Sequence, residues 1–211
     1  MDQITVKPRF RGVSHQLMFF VSIIPCLILI LKTSNPSQLI AVLTYSIGLL
    51  SMFGFSALYH RLNATIEIKK ILRKLDHSAI FMMIAGTFTP ICLLALKEQS
   101  GTKLLIIIWS IALIGIIQSI FFSNIHRLLR AFIYLIAGWA ALPFIPILIA
   151  SLSFTKLILI GAGGTIYSIG AITYGFKLPV LSPETFGFHE FFHLLVIVAA
   201  ILHFIVIYNL L

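Results

Sequence analysis

His189 and His193 stand four residues apart in the run Phe188-His189-Glu190-Phe191-Phe192-His193, so on a helix their imidazoles share one face, about one turn from each other. His60 closes an earlier apolar run, Ser56 lies one turn before it on the same face, and Asp76 opens the next run. Three neutral imidazoles, a carboxylate nearby and an open fourth position are what a catalytic zinc ion requires. Ionisable groups at the edge of an apolar segment are costly there, which makes them candidates for function. In this reading His60, His189 and His193 hold Zn2+. Asp76 holds a water and accepts its proton, or orients a histidine, while also offsetting part of the metal's charge. Ser56 hydrogen-bonds an incoming carbonyl or a ligand imidazole.

The elements that carry these residues are set by composition. The chain has 211 residues, of which 60% are hydrophobic and 10% charged. A soluble domain would carry about 25% charged residues, so residues 1–211 read as one integral membrane domain. Seven apolar stretches are bounded by turn residues and charges, at about 16–31, 38–59, 77–96, 103–122, 128–150, 156–174 and 189–210. Each approaches the ~20 residues needed to cross a hydrocarbon core. Backbone groups in lipid must be paired within the segment, so the stretches are helices and the fold is an all-α bundle of seven transmembrane helices. The first stretch lacks a small-x-small cleavage site and is kept as a helix. Pro90, Pro143 and Pro146 fall inside spans, where neighbouring helices can tolerate kinks. Cys26 and Cys92 have no metal-ligand spacing and read as buried thiols.

Basic residues give the orientation. With the N-terminus in the cytoplasm, eleven fall inside: Lys7, Arg9 and Arg11 in a tail over 1–15, Arg61, Lys69, Lys70, Arg73 and Lys74 in a basic loop over 61–75, then Arg127, Arg130 and Lys177. Four fall outside: Lys32, Lys97, Lys103 and Lys156. The positive-inside rule therefore places the N-terminus in the cytoplasm and the C-terminus outside, in a multi-pass protein of the cytoplasmic membrane. The formal charge of +9 reflects this topology and contact with anionic inner-leaflet lipids, not nucleic acid. Ile68, Ile71, Leu72 and Leu75 have helical spacing among the lysines and arginines, which predicts an interfacial helix running into span three. Spans two, three and seven then deliver His60, Asp76 and the paired histidines to one membrane face. Local spacing does not force those spans to be neighbours; that is an expectation.

The remaining polar residues receive plainer readings. His-Glu-x-x-His invites a zincin reading, but Glu190 points about 100° from His189 and is expected to pair with a loop base such as Lys177, with general base as the alternative. His15 and His126 are expected to be solvated at membrane edges. His203 lies ~21 Å along the helix from His189, too far for the same metal. His77 is expected to pack or sit at the interface, with support of the metal site as the alternative, and Thr87 to line a cavity. Gly161 through Gly164 suit close helix packing.

Phe55-Ser56-Ala57-Leu58-Tyr59-His60, Leu75-Asp76-His77-Ser78-Ala79-Ile80-Phe81, Ala85-Gly86-Thr87-Phe88-Thr89-Pro90 and Phe186-Gly187-Phe188-His189-Glu190-Phe191-Phe192-His193 occur in that order. Together they resemble the hemolysin III family, which belongs with the adiponectin and progestin receptors and is distantly similar to alkaline ceramidases. The resemblance covers nearly the whole chain. It implies a seven-helix fold, zinc held by His60, His189 and His193, Asp76 close to the metal through water, and hydrolysis of lipid amides. The family name carries a different implication, cytolysis. Two functions are thus expected as alternatives. One is a zinc-dependent hydrolase whose substrate is a membrane lipid with an amide or ester bond. The other is a cytolytic or membrane-stress protein with a structural zinc.

Reporter fusions at Asp2 and Leu211 test the orientation. The N-terminal reporter should be active on the cytoplasmic side and the C-terminal one on the opposite side. Both ends on one side would mean an even number of spans and would undo the shared-face placement.

Overall fold

A computed structural model describes residues 8–179, 181–182 and 184–211. The predicted tail as far as Lys7, and Pro183 of the last loop, lie outside the described residues. The chain is helical throughout: α1 Val13–Lys32, α2 Pro36–Arg61, α3 Ile66–Leu94, α4 Glu98–Phe121, α5 Arg127–Gly138, α6 Ile145–Ser151, α7 Phe154–Phe176 and α8 Phe188–Tyr208. Counting α5 and α6 as one crossing, seven helical segments among the described residues are long and apolar enough to span a membrane. The sole strand-like pairing among them is the isolated bridge between Ser182 and Phe186.

The turn signals act as the sequence suggests. The Asn35 side chain accepts from the Gln38 amide at 3.0 Å, with Pro36 at the first helical position, so α2 starts cleanly after a three-residue turn. Thr65 caps α3 in the same way, through Ile68 at 3.5 Å. The expected interfacial stretch at 68–75 is the first part of α3, continuous with the span. Ile68 and Ile71 are exposed while Leu72 is buried. The fifth span departs from a single kinked helix. Pro143 and Pro146, three residues apart, each remove a backbone donor, and the helix gives way to a 3-10 turn at Leu142–Phe144.

The helices form a closed ring. α1 packs on α2 and α8, α2 on α3, α3 on α5, α5 on α7 and α7 on α8, while α4 packs outside against α3 and α5. A contact between α3 and α8 crosses the ring. α2 and α3 approach each other closely at one crossing. A Cβ on Gly48 would lie 2.9 Å from the Met82 carbonyl oxygen, and one on Gly86 would lie 3.0 Å from that of Thr44 and 3.6 Å from the Gly48 Cα. Small residues at such a crossing let the backbones touch. From it, His60 lies ~18 Å along α2 and Asp76 ~15 Å along antiparallel α3, so both arrive at one level. At the far end of the bundle, Lys32 Nζ donates to the Tyr208 carbonyl at 2.8 Å and lies over its ring, tying α1 to α8.

Overpacking a close contact typically costs about 1–3 kcal/mol. Gly48→Ala is therefore expected to lower the unfolding temperature of the purified protein by several degrees. Gly161→Ala, with nothing within 4 Å of an added Cβ, should leave it unchanged in the same thermal scan.

Candidate metal centre

His60 ends α2, His189 and His193 begin α8, and the contact of these ends brings the three imidazoles together. One ring nitrogen from each lies within 4.8 Å of the other two, and His60 Nε2 is 3.0 Å from His189 Nε2. Ligand nitrogens ~2.1 Å from a tetrahedral zinc sit roughly 3.4 Å apart. The spacing therefore suits one metal ion. His193 is 2% exposed and its Nδ1 has no hydrogen-bond partner among the described residues. A buried imidazole is costly without partners, and coordination is one way to supply them.

Asp76 and Ser56 face the same space. Ser56 is a hydrogen-bond partner of the Asp76 carboxylate, and both line the cavity that the histidines enter. That cavity, of about 930 Å³, starts between Arg11, His60, Asp76 and His189 and reaches Phe154, Leu157 and Ile158 at the opposite end of α7. Its walls are mostly apolar, with Thr87, Tyr167 and Ser168 as polar points along the way. Thr87 thus lines the cavity as expected. Spans two and seven meet at the histidine end, where His60, His189 and His193 come together, and Ser56 and Asp76 line the cavity that they enter.

Several residues take positions that spacing did not indicate. His15 is not solvated: it is 3% exposed and stacks flat on His193, ring centroids 3.8 Å apart. Glu190 is not at the rim with Lys177. It is 2% exposed, forms an ion pair with Arg11 and accepts from the Gly187 amide at 2.7 Å. An acid in the first turn of α8 is favoured by the helix dipole, and Arg11 supplies the opposite charge that burial demands. The chain before α1 is held by the last loop, since the Arg9 and Phe10 amides donate to the Glu184 and Thr185 carbonyls at 3.0 and 3.2 Å. Gly12 then turns the chain into α1 with φ +79°, and a Cβ there would lie 2.5 Å from the His60 Cβ. Only glycine meets both the left-handed backbone and that approach.

The other histidines are placed elsewhere. His77 is buried, with Nε2 3.0 Å from Arg130 Nη1. Arg130 is 3% exposed although it stood in the sequence as one more cytoplasmic base. An arginine three residues into an apolar run was the one available signal. His126 is exposed and its Nδ1 accepts from the Leu128 amide at the start of α5. His203 lies against the Ile160 carbonyl at 3.3 Å and fits over Gly163, away from the three histidines.

The family model described as Haemolysin-III related matches residues 3–204. The Hemolysin-3 homolog of Bacillus subtilis (strain 168) is 36% identical over 177 residues, covering 82% of this chain and 83% of that protein. Hemolysin-3 of Bacillus cereus is 35% identical over 185 residues, 85% of this chain and 83% of the relative. The Adiponectin receptor protein of Drosophila melanogaster is 27% identical over 177 residues, 76% of this chain and 40% of that larger protein. With seven membrane-crossing segments and a family match over almost its whole length, the chain is a multi-pass membrane protein that belongs to the haemolysin-III related family.

Proposed function

We propose that this chain is a zinc-dependent hydrolase of the cytoplasmic membrane, cleaving an amide or ester bond of a lipid at the inner leaflet. The observation that carries the reading is the convergence of His60, His189 and His193 at the mouth of a long apolar cavity, beside Asp76. His60, His189 and His193 would hold the metal, which when bound supplies a Lewis acid for a carbonyl and lowers the pKa of a coordinated water. The apolar walls from Thr87 towards Leu157 hold an acyl chain, and a volume of this size suits one lipid-sized ligand. Asp76 takes the proton released as water attacks the carbonyl and returns it to the leaving amine or alcohol. Ser56, bonded to the carboxylate, helps to hold it in the cavity wall. Glu190 is already engaged by Arg11 and Gly187, so it is not the base.

A cytolytic role with a structural metal is the second reading, favoured by the names of the bacterial relatives. A structural zinc is normally held by four protein ligands. The metal-binding group found among the described residues contains three, which favours the hydrolase.

Metal analysis of the purified protein should find one zinc per chain, and His60→Ala, His189→Ala or His193→Ala should each abolish it. His203→Ala should retain full loading. A fully loaded His60→Ala protein would remove His60 from the centre and, with it, the link between α2 and α8.

Asp76→Asn tests the chemistry. It keeps the shape of the side chain and removes its basic site, so zinc should stay bound while acyl release from a panel of lipid amides and esters falls about 10²–10⁴-fold. Unchanged release from the loaded variant would exclude Asp76 as the base.

A further inference from the structure

Five cationic side chains line the histidine end of the cavity, Arg11, Arg73, Arg127, Arg130 and Lys177, against one carboxylate there, Asp76. Arg11 is neutralised by Glu190. The other four have no carboxylate within ion-pair distance among the described residues. Their arrangement is convergent. Arg130 Nη2 donates to the Ser123 carbonyl at 2.6 Å, and Arg73 Nη2 donates to the same oxygen at 3.1 Å, which brings two guanidinium groups to one atom. Arg127, one turn from Arg130 on α5, donates through Nε to the Gly175 carbonyl at 2.8 Å. Lys177 follows α7 at the rim.

Helix ends account for part of this. Gly175 lies in the last turn of α7 and Ser123 two residues beyond the end of α4, and each such helix end is equivalent to about half a negative charge. Two helix ends and Asp76 together offset about two of the four positive charges, so about two remain. A cation at the three histidines would add to the excess. Attraction to the anionic leaflet explains exposed bases such as Arg61 and Lys70, but not Arg130, which is buried and faces the cavity.

We propose that Arg73, Arg127 and Arg130, with Lys177 at the rim, form an anion subsite that takes the phosphate of a lipid whose acyl chain lies in the cavity. A phosphomonoester carries about −1.5 to −2 at neutral pH with three acceptor oxygens, which matches the unoffset charge. Guanidinium forks bind such oxygens bidentately, and the donors that these arginines do not spend on carbonyls or, for Arg130, on His77 are available for it. The inference rests on the reading of the cavity as a lipid site and narrows its occupant to a phosphate-bearing lipid.

The test is binding, measured by titration calorimetry on the full-length protein in nanodiscs of zwitterionic lipid. Decyl phosphate, decanol and inorganic phosphate are the probes. Wild type should bind decyl phosphate at least about tenfold more tightly than either other probe, a comparison that needs no variant. Arg130→Gln should erase most of the preference, as should Arg127→Gln, which lies less deep and is the safer variant to fold. Arg61→Gln, an exposed base on the same side, should keep it. Equal affinity for decyl phosphate and decanol would overturn the proposal, and so would an equal loss in Arg61→Gln, which would mark surface attraction. Inorganic phosphate binding as tightly as decyl phosphate would overturn the lipid assignment in favour of a free anion. Disappearance of the preference after chelation would assign the phosphate to a metal and not to the arginines. Binding without any acyl release would leave this subsite standing and sink the hydrolase; hydrolysis of neutral lipids without decyl phosphate binding would do the reverse.

Discussion

Hydroxyls in a membrane bundle can bond to their own helix, as Thr44, Thr89 and Ser168 do here, but imidazole, guanidinium and carboxylate groups need partners that lipid cannot supply. At the basic end of this protein that requirement is met by a set of pairings between distant segments. His60 faces His189, Arg11 faces Glu190, His15 lies on His193, and Arg130 meets His77. Each pair joins two helices, or a helix and the segment leading into α1, and together they draw α1, α2, α3, α5 and α8 to one level. The close crossing at Gly48 and Gly86 sets the height at which α2 and α3 present their residues. The centre is thus a product of packing several turns away as much as of its own side chains.

Much of this was legible in the amino-acid order. α2 begins at Pro36, close to the expected start at residue 38, whereas α3 begins at Ile66 and takes in the interfacial stretch ahead of the span expected from residue 77. Alternation of span direction was enough to send His60, Asp76 and the paired histidines to one side. What could not be read was which partner each buried group would take. Glu190 stands near Lys177 along the chain, yet its partner is Arg11, 179 residues away. His15 looked like any histidine near a membrane edge, since nothing local records that α8 lies against α1. The break before α6 was half visible: two prolines announced a disturbance, but whether it became a kink or a 3-10 turn depends on how neighbouring helices receive the freed carbonyls.

The cavity joins two environments that one ligand would have to satisfy. Its long wall is apolar from Ile84 to Ile158, while its mouth holds imidazoles, one carboxylate and an excess of guanidinium. A soluble metabolite would leave the wall unfilled, and a hydrocarbon would leave the mouth's charge unanswered. An amphiphile answers both, and its headgroup would meet the histidines at the level where its tail begins. This division also explains why Asp76 and Glu190, two acids at one end of the bundle, behave differently. Glu190 is held by Arg11 and the start of α8, whereas Asp76 has a hydroxyl as partner and faces open space.

The clasp between the start of the chain and the loop before α8 has a consequence for biogenesis. Arg9 and Phe10 are made before α1, and the carbonyls of Glu184 and Thr185 that receive them only after α7. His60 must likewise wait for His189, 129 residues further along the chain. During that interval the early residues remain hydrated at the membrane edge, and the cost of closing so long a loop is met in one late step, when α8 enters the bundle. Completion of the centre therefore marks the arrival of α8 against α2. A nascent chain stalled before its final helix carries one of the three imidazoles and lacks the partner of Arg11, leaving at its membrane edge the kind of unpaired polar surface that membrane quality control can distinguish from the finished protein.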